Sequence, residues 1–386
     1  MRKKNKLIRI TTVPESLGLF KGQPRFMSSY FEVIGVASPG KKVKEVEELE
    51  NIKIFTIPMT RTISPFKDII ALCKLYFFLK QEKPAIVHSH TPKAGTLAMI
   101  ASFLAGVPHR LHTVAGMPLI TATGFKRVIL NMVERITYAC ATKVYPNSFG
   151  LRQFIVDNHF ATESKIKVIA NGSSNGIDTA FFDPVQIGDL QKDRLRDELK
   201  ISSNDFVFIF MGRLVTDKGI NELISAFKNL NQTYSDTKLL LLGYQEKELD
   251  PLDRKTIHEI ENNSSILAVG FQSDVRPYLA ISHCLTFPSY REGFPNVVMQ
   301  AGAMGLPSIV TDINGCNEII IEGINGLLVQ PGDTKNLQEK MFLLLSNDVV
   351  RRNLGCNARE KIVSRYNQKD LWEEILMEYR NLTEYV

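Results

Sequence analysis

The 386 residues are 44% hydrophobic and 23% charged, with a formal net charge of +6. That length exceeds what one hydrophobic core usually spans and predicts two domains of roughly 150–200 residues each. No segment approaches the roughly 18 uninterrupted apolar residues of a spanning helix, so a membrane crossing is excluded from the expectations.

In chain order, short runs rich in Val and Ile alternate with longer helical patterns. The first runs span 6–12, 30–38, 51–58, 84–90, 110–116, 143–148 and 165–174. The basic N-terminus is broken by Arg9 and runs into Pro14, which suits a first buried strand better than a signal peptide and points to a cytoplasmic chain. A polar stretch over 183–204 holds Pro184 and a charged helix and reads as a connection. The pattern then restarts at 205–214, 238–244, 266–271, 284–289, 307–313 and 326–333. Near-continuous apolar strands separated by helices predict parallel sheets covered on both faces. The fold class is therefore α/β, with Rossmann-like domains over 1–190 and 191–366 and a last helix over 367–386. Ligands of such sheets bind beyond the C-terminal strand ends, so two facing sheets would share an interdomain cleft.

Cys73, Cys140, Cys284, Cys316 and Cys356 are odd in number and widely spaced, which predicts free, buried thiols and no metal cluster. Charge divides unevenly along the chain. Residues 1–190 hold 25 Lys and Arg against 14 Asp and Glu, and the remainder holds 22 against 27. A basic first half predicts an anionic partner such as a phospholipid surface or a lipid diphosphate. Nucleic acid is not expected, because the cations lack the aromatic interleaving of RNA-binding modules.

Two clusters carry the chemistry. Gly212 and Arg213, followed by Lys218 and Gly219, end one strand and enter a helix, so two cations stand beside exposed helix N–H groups that already favour anions. A diphosphate suits that arrangement. In the second cluster Glu292, Gly293, Phe294, Pro295, Asn296 and Val297 follow a strand and open an apolar helix that carries Gln300. Glu292 is placed to accept hydrogen bonds from sugar hydroxyls, and the amides from Phe294 to Val297 are placed to face an anion. Each side chain taken alone is more often a solvated charge.

Together these blocks resemble family 4 of the retaining glycosyltransferases, which have the GT-B fold of two facing Rossmann-like domains. The resemblance extends to Gly150, Leu151 and Arg152, to the stretch from Asn171 to Asp178, to Val269, Gly270 and Phe271, and to the stretch from Gly323 to Val329. It implies a nucleotide-sugar donor, which is a substrate rather than a cofactor, with Arg213, Lys218 and Glu292 as catalytic groups. Gly18, Gly22, Gly212, Gly270, Phe271, Gly293, Phe294, Pro295, Asn296, Val297 and Gln300 would line the donor. The stretch from Ser173 through Asp178 to Phe182 resembles enzymes of capsule, O-antigen and exopolysaccharide assembly, which implies a saccharide acceptor on undecaprenyl diphosphate at the cytoplasmic membrane face. A hexose-type, UDP-linked donor is expected. The final helix would cross back to the first domain.

Two positions depart from the family pattern. Gln300 stands where a second glutamate addresses the ribose, keeping an acceptor but losing charge. Ala115 stands where a histidine touches the donor sugar near C6, which fits a 6-deoxyhexose donor. On the acceptor side His88, His90, Lys93 and His112 are candidates, the first two as hydrogen-bonding rather than metal-binding histidines. The absence of an Asp-x-Asp motif predicts that Arg213, Lys218 and a helix dipole, with no metal, carry the charge developing on the leaving diphosphate. Helical patterns over 65–83 and 124–143 combine large apolar residues with flanking Lys and Arg and suit a membrane interface. A UDP-sugar 2-epimerase and a non-catalytic nucleotide-sugar-binding protein of the same fold remain alternatives.

Overall fold

The computed structural model of the chain describes residues 4–18, 20–60, 62, 64–120, 122–246, 248 and 250–383. Leu19 of the glycine-bearing loop and the last three residues of the expected final helix lie outside that set.

Two compact units emerge. The first comprises Met1–Gly176 together with Gln368–Val386, and the second Ile177–Asn367. The division therefore falls at 176/177 rather than at 190/191, because Ile177 already pairs with Asn367 and its amide donates to the Tyr366 carbonyl (2.8 Å).

In the first unit the strands are β1 (Lys6–Ile10), β2 (Glu32–Ala37), β3 (Lys53–Thr56), β4 (Ile86–Ser89), β5 (His109–Val114) and β6 (Lys143–Pro146). Their order is β3-β2-β1-β4-β5-β6. The second unit has β7 (Phe206–Met211), β8 (Thr237–Leu242), β9 (Ile266–Gly270), β10 (Cys284–Phe287), β11 (Ser308–Thr311) and β12 (Gly326–Val329). Their order, β12-β11-β10-β7-β8-β9, is the same plan repeated. All ladders are parallel. The apolar runs explain the layering: all six residues of β7, Phe206 to Met211, are buried, so helices must cover both faces. Strand order reverses between β1 and β4 in one unit and between β7 and β10 in the other, and those switch points are where doubly wound sheets bind ligands.

Some expectations need correction. The run over 165–174 is not a strand. Only Ile166 bridges to Val144, and Ala170, Gly172 and Ser173 then take positive φ values of 50°, 95° and 70°, which no strand tolerates. Cys284 and Cys316 are buried, but Cys73 and Cys356 are exposed, since each lies on the outer side of a helix.

The two helices expected at an interface form over Pro65–Glu82 and Gly124–Cys140, with helix Pro92–Ala105 packed against both. Helix Gly124–Cys140 is turned inside out. Its buried residues are Glu134, Thr137 and Tyr138, while Phe125, Val128, Met132 and Ile136 are exposed. Helix Pro65–Glu82 likewise exposes Phe66, Ile69, Ile70 and Phe77. Among the described residues no helix is long and apolar enough to cross a membrane.

Candidate functional site

The switch point of the second unit brings the two sequence clusters together. After β7 the chain makes one 3-10 turn, Thr216–Lys218, before helix Ile220–Thr233 begins. Gly219, at φ 69°, caps that helix, and a Cβ there would fall on the Pro288 carbonyl oxygen beyond β10. The Lys-Gly pair thus has a steric cause: only glycine lets the loop after β7 lie against the loop after β10.

The close approach seats Lys218 against Glu292. Lys218 Nζ donates to Glu292 Oε1, lies 3.5 Å from Ser289 Oγ, and stands 5.6 Å from the centre of the Phe287 ring. Both side chains are mostly shielded from solvent, at 15% and 14% exposure, so the pair acts in a lower dielectric than a surface ion pair. Cys316 lies close beneath. Burial pushes its thiol pKa up, and the Glu292 carboxylate pushes it further. Asn314 Nδ2 donates to the carbonyls of Glu292 and Gly293 (both 3.2 Å), fixing the turn that presents the carboxylate.

Sequence reasoning missed the clasp around this pair. Arg291 Nη2 donates to Asp217 Oδ2 (3.0 Å), the Tyr290 amide donates to the Asp217 carbonyl (3.0 Å), and the Asp217 amide donates to Asp250 Oδ2 (2.8 Å). Asp217 and Arg291 immediately precede Lys218 and Glu292, and that adjacency was the available signal.

Arg213 sits apart from the pair, 56% exposed, with Nη1 donating to Glu246 Oε2 (2.6 Å). Gly212 follows β7 at φ 150°. Helix Asn296–Ala303 follows Pro295 at its N-cap and carries Gln300 half-buried, while Val297 is half-buried and Asn296 exposed. Gly293 is buried in the turn. The Phe294 side chain is not placed to line a ligand: it is 7% exposed and packs on Tyr366 at 5.4 Å within the core. Beyond β9, Phe271 is 58% exposed and stacks on Tyr244.

In the first unit the predicted acceptor-side residues are drawn into packing. His88 and His90, at the end of β4, are buried. His88 Nδ1 lies 2.6 Å from the Tyr379 hydroxyl and its Nε2 2.7 Å from Thr113 Oγ1. His90 Nε2 accepts from Arg9 Nε at 2.8 Å, so the neutral ring carries its proton on Nδ1. Burial, then the Arg9 charge, holds both histidines well below their ordinary pKa. Both rings, with Gln23, Thr113, Asn147, Ser173 and Ser174, border a cavity of about 20 Å³, room for one water-sized group.

His112 is also buried, bonded through Nδ1 to Ser89 Oγ (2.9 Å) beneath Gly95, and burial lowers its pKa to about 4. It is a packing group, correcting its place among acceptor candidates. Lys93 is paired with Asp68 and ties two helices together. Gly18 ends helix Pro14–Gly18. Gly22 has a packing cause, because a Cβ there would stand 2.5 Å from Trp372 Cη2. Asn175 binds the same corner: its Oδ1 accepts from Trp372 Nε1 (2.7 Å) and Gln23 Nε2 (3.1 Å). The stretch from Ser173 to Gly176 therefore clamps the loop after β1 to the last helix.

Comparison with known proteins agrees with this geometry. Residues 191–361 match the family described as "Glycosyl transferases group 1", and residues 32–172 match "Glycosyl transferase 4-like domain". The chain is 34% identical to the capsular polysaccharide biosynthesis glycosyltransferase CapM of Staphylococcus aureus, over 97% of this chain and 96% of that one. It is 30% identical to an Escherichia coli UDP-Gal:alpha-D-GlcNAc-diphosphoundecaprenol alpha-1,3-galactosyltransferase, over 82% of this chain and 81% of that one. Among solved structures, HepE of Anabaena in complex with UDP-glucose superposes with a TM-score of 0.81 at 18% identity, covering 98% of this chain and all of that one. With two parallel six-stranded sheets of one strand order and these relatives along nearly its whole length, the chain belongs to glycosyltransferase family 4 and has the GT-B fold.

Proposed function

We propose that the protein moves a hexose-type sugar from a UDP-linked donor to a saccharide carried on undecaprenyl diphosphate, with retention of configuration, during surface polysaccharide assembly. The observation that carries this reading is the shielded Lys218–Glu292 pair at the switch point of the second unit. Bond cleavage throws negative charge onto the leaving diphosphate. Lys218, held in place before the donor arrives, stabilises that charge without reorganising, and preorganised groups of this kind are worth several kcal/mol of barrier. Arg213 adds a second, more exposed cation. Glu292 accepts from the sugar hydroxyls and orients the ring, and in this reading no divalent ion is required. The names of the capsular relative and the diphosphoundecaprenol relative support the acceptor class.

The exposed stripes on helices Pro65–Glu82 and Gly124–Cys140 support work at a membrane surface on the cytoplasmic side. On helix Gly124–Cys140 the apolar residues outside and Glu134 and Thr137 inside are the reverse of a helix packing in water. Helix Pro65–Glu82 buries Ala71, Leu75, Phe78 and Leu79 and carries a second apolar stripe outside. Lys67, Lys74, Lys126 and Arg135 stand exposed beside those stripes and match anionic headgroups.

The test is a binding and transfer panel of UDP-, GDP- and dTDP-sugars, 6-deoxyhexoses included, with a lipid-diphosphate saccharide acceptor. Transfer of one UDP-hexose with retained anomeric configuration is expected. Binding of no sugar nucleotide, or epimerisation of UDP-N-acetylglucosamine without acceptor, overturns the reading.

A further inference from the structure

Asp217 and Arg291 each stand one residue before a member of the Lys218–Glu292 pair, and their own side chains are part-exposed, at 26% and 29%. Asp217 is held by all three of its polar groups. Its amide donates to Asp250 Oδ2 (2.8 Å), its carbonyl accepts from the Tyr290 amide (3.0 Å), and its carboxylate accepts from Arg291 Nη2 (3.0 Å). Beside it, Thr216 Oγ1 donates to the Pro251 carbonyl (2.8 Å).

The stretch before Glu292 is fastened in the same manner. The Tyr290 hydroxyl donates to Glu222 Oε1 (2.9 Å) in the first turn of helix Ile220–Thr233, and Arg291 closes on Asp217. The loop after β7 and the loop after β10 are thus tied to each other, to the chain beyond β8 and to a helix.

Energetics separate what this fastening does for folding from what it does for chemistry. An ion pair at such exposure adds little to stability, because solvent screens it and two long side chains lose freedom. A charge-stabilising cation, by contrast, acts fully only when it is fixed before charge develops, and a misplacement of about 1 Å costs roughly a hundredfold in rate. Lysine brings no rigidity of its own, being a point charge on a flexible four-carbon stem. The single 3-10 turn that carries Lys218 is too short to hold it unaided. We infer that Asp217 and Arg291 are positioning residues, which set the placement of Lys218 and Glu292 and act on turnover rather than on folding. This deepens the transferase reading above and rests on it.

The test follows UDP release by the full-length protein from UDP-glucose, UDP-galactose and their 2-acetamido forms, with undecaprenyl-diphosphate-linked N-acetylglucosamine as acceptor. UDP affinity by calorimetry and Tm are measured beside it. Asp217→Ala and Arg291→Ala should each lower kcat by roughly ten- to a hundredfold, with Tm and UDP affinity close to wild type. Combining the two should be no worse than the slower single variant, since one contact is lost in all three. In a Lys218→Ala background, Asp217→Ala should cost nothing further, because it acts through Lys218. The inference falls if either single variant turns over at the wild-type rate, if the two losses multiply in the double variant, or if Tm falls together with kcat. A wild type that neither binds UDP nor releases it from any of these sugars overturns the donor reading itself, whereas wild-type turnover left intact by Arg291→Ala overturns the positioning role alone.

Discussion

The two units share one strand order but treat their switch points in opposite ways. Between β1 and β4 the strand tips are filled: Arg9, His88 and His90 are buried and bonded to one another or to Tyr379 and Thr113. Between β7 and β10 glycines keep the backbones close, and the polar groups beyond them, Lys218 and Glu292, retain access to solvent. Strand order places the crevice; the side chains decide whether it is filled by the protein or left for a ligand.

Acidification should separate the units most strongly. His88, His90 and His112 in the first unit are held neutral by burial, as is His283, the corresponding case in the second. Because their folded pKa values lie below the unfolded value of about 6.5, the unfolded chain takes up protons first as pH falls. Their stabilisation is complete above about pH 6.5 and is lost on the way down. His112 alone, at about 4 when folded, accounts for about 3 kcal/mol of loss by pH 4. Trp372, the sole tryptophan, belongs to the first unit, so its fluorescence should change at higher pH than the far-ultraviolet circular dichroism of the whole chain. Coincident transitions would break the comparison.

Removing the cation of the open switch point should come next. Lys218→Ala is expected to lower kcat by roughly 10²–10³-fold, the range for losing one preorganised charge-stabilising group. Arg213→Ala, at a more exposed position, should act less on kcat than on donor affinity. Equal losses in kcat would remove the distinction between them.

A smaller effect is expected from Tyr379→Phe, which strips the hydroxyl from buried His88 at about 1–3 kcal/mol of stability with the donor affinity intact. Denaturant titration alongside UDP binding checks both halves. The smallest effect on folding belongs to Phe66→Ser with Phe125→Ser, expected within about 0.5 kcal/mol because both rings are exposed. Flotation with anionic liposomes at low salt should nonetheless fall sharply in that double variant. Unchanged flotation would count against the membrane reading.

Much of this architecture was legible in the residues. Runs such as Phe206 to Met211 are apolar at every position and can only be strands buried on both faces. The run over 165–174 misled because alternating Lys, Ile and Val precede backbone turns that apolarity does not signal. At the site, the residue types of Lys218 and Glu292 were readable, but their ion pair spans 74 positions and is made by a glycine contact that spacing does not reveal. Helical period shows that an apolar stripe exists on residues such as Phe125, Val128 and Met132, but not whether it faces the core.

The return of the last helix to the first unit also sets an order of events during synthesis. The second unit is one unbroken stretch of chain, complete once Asn367 has emerged from the ribosome. The first unit, though made first, lacks Trp372, Ile375 and Tyr379 until the final residues appear, so Arg9 and His88 wait with an open flank. The earlier-made half of the molecule is therefore the later to mature.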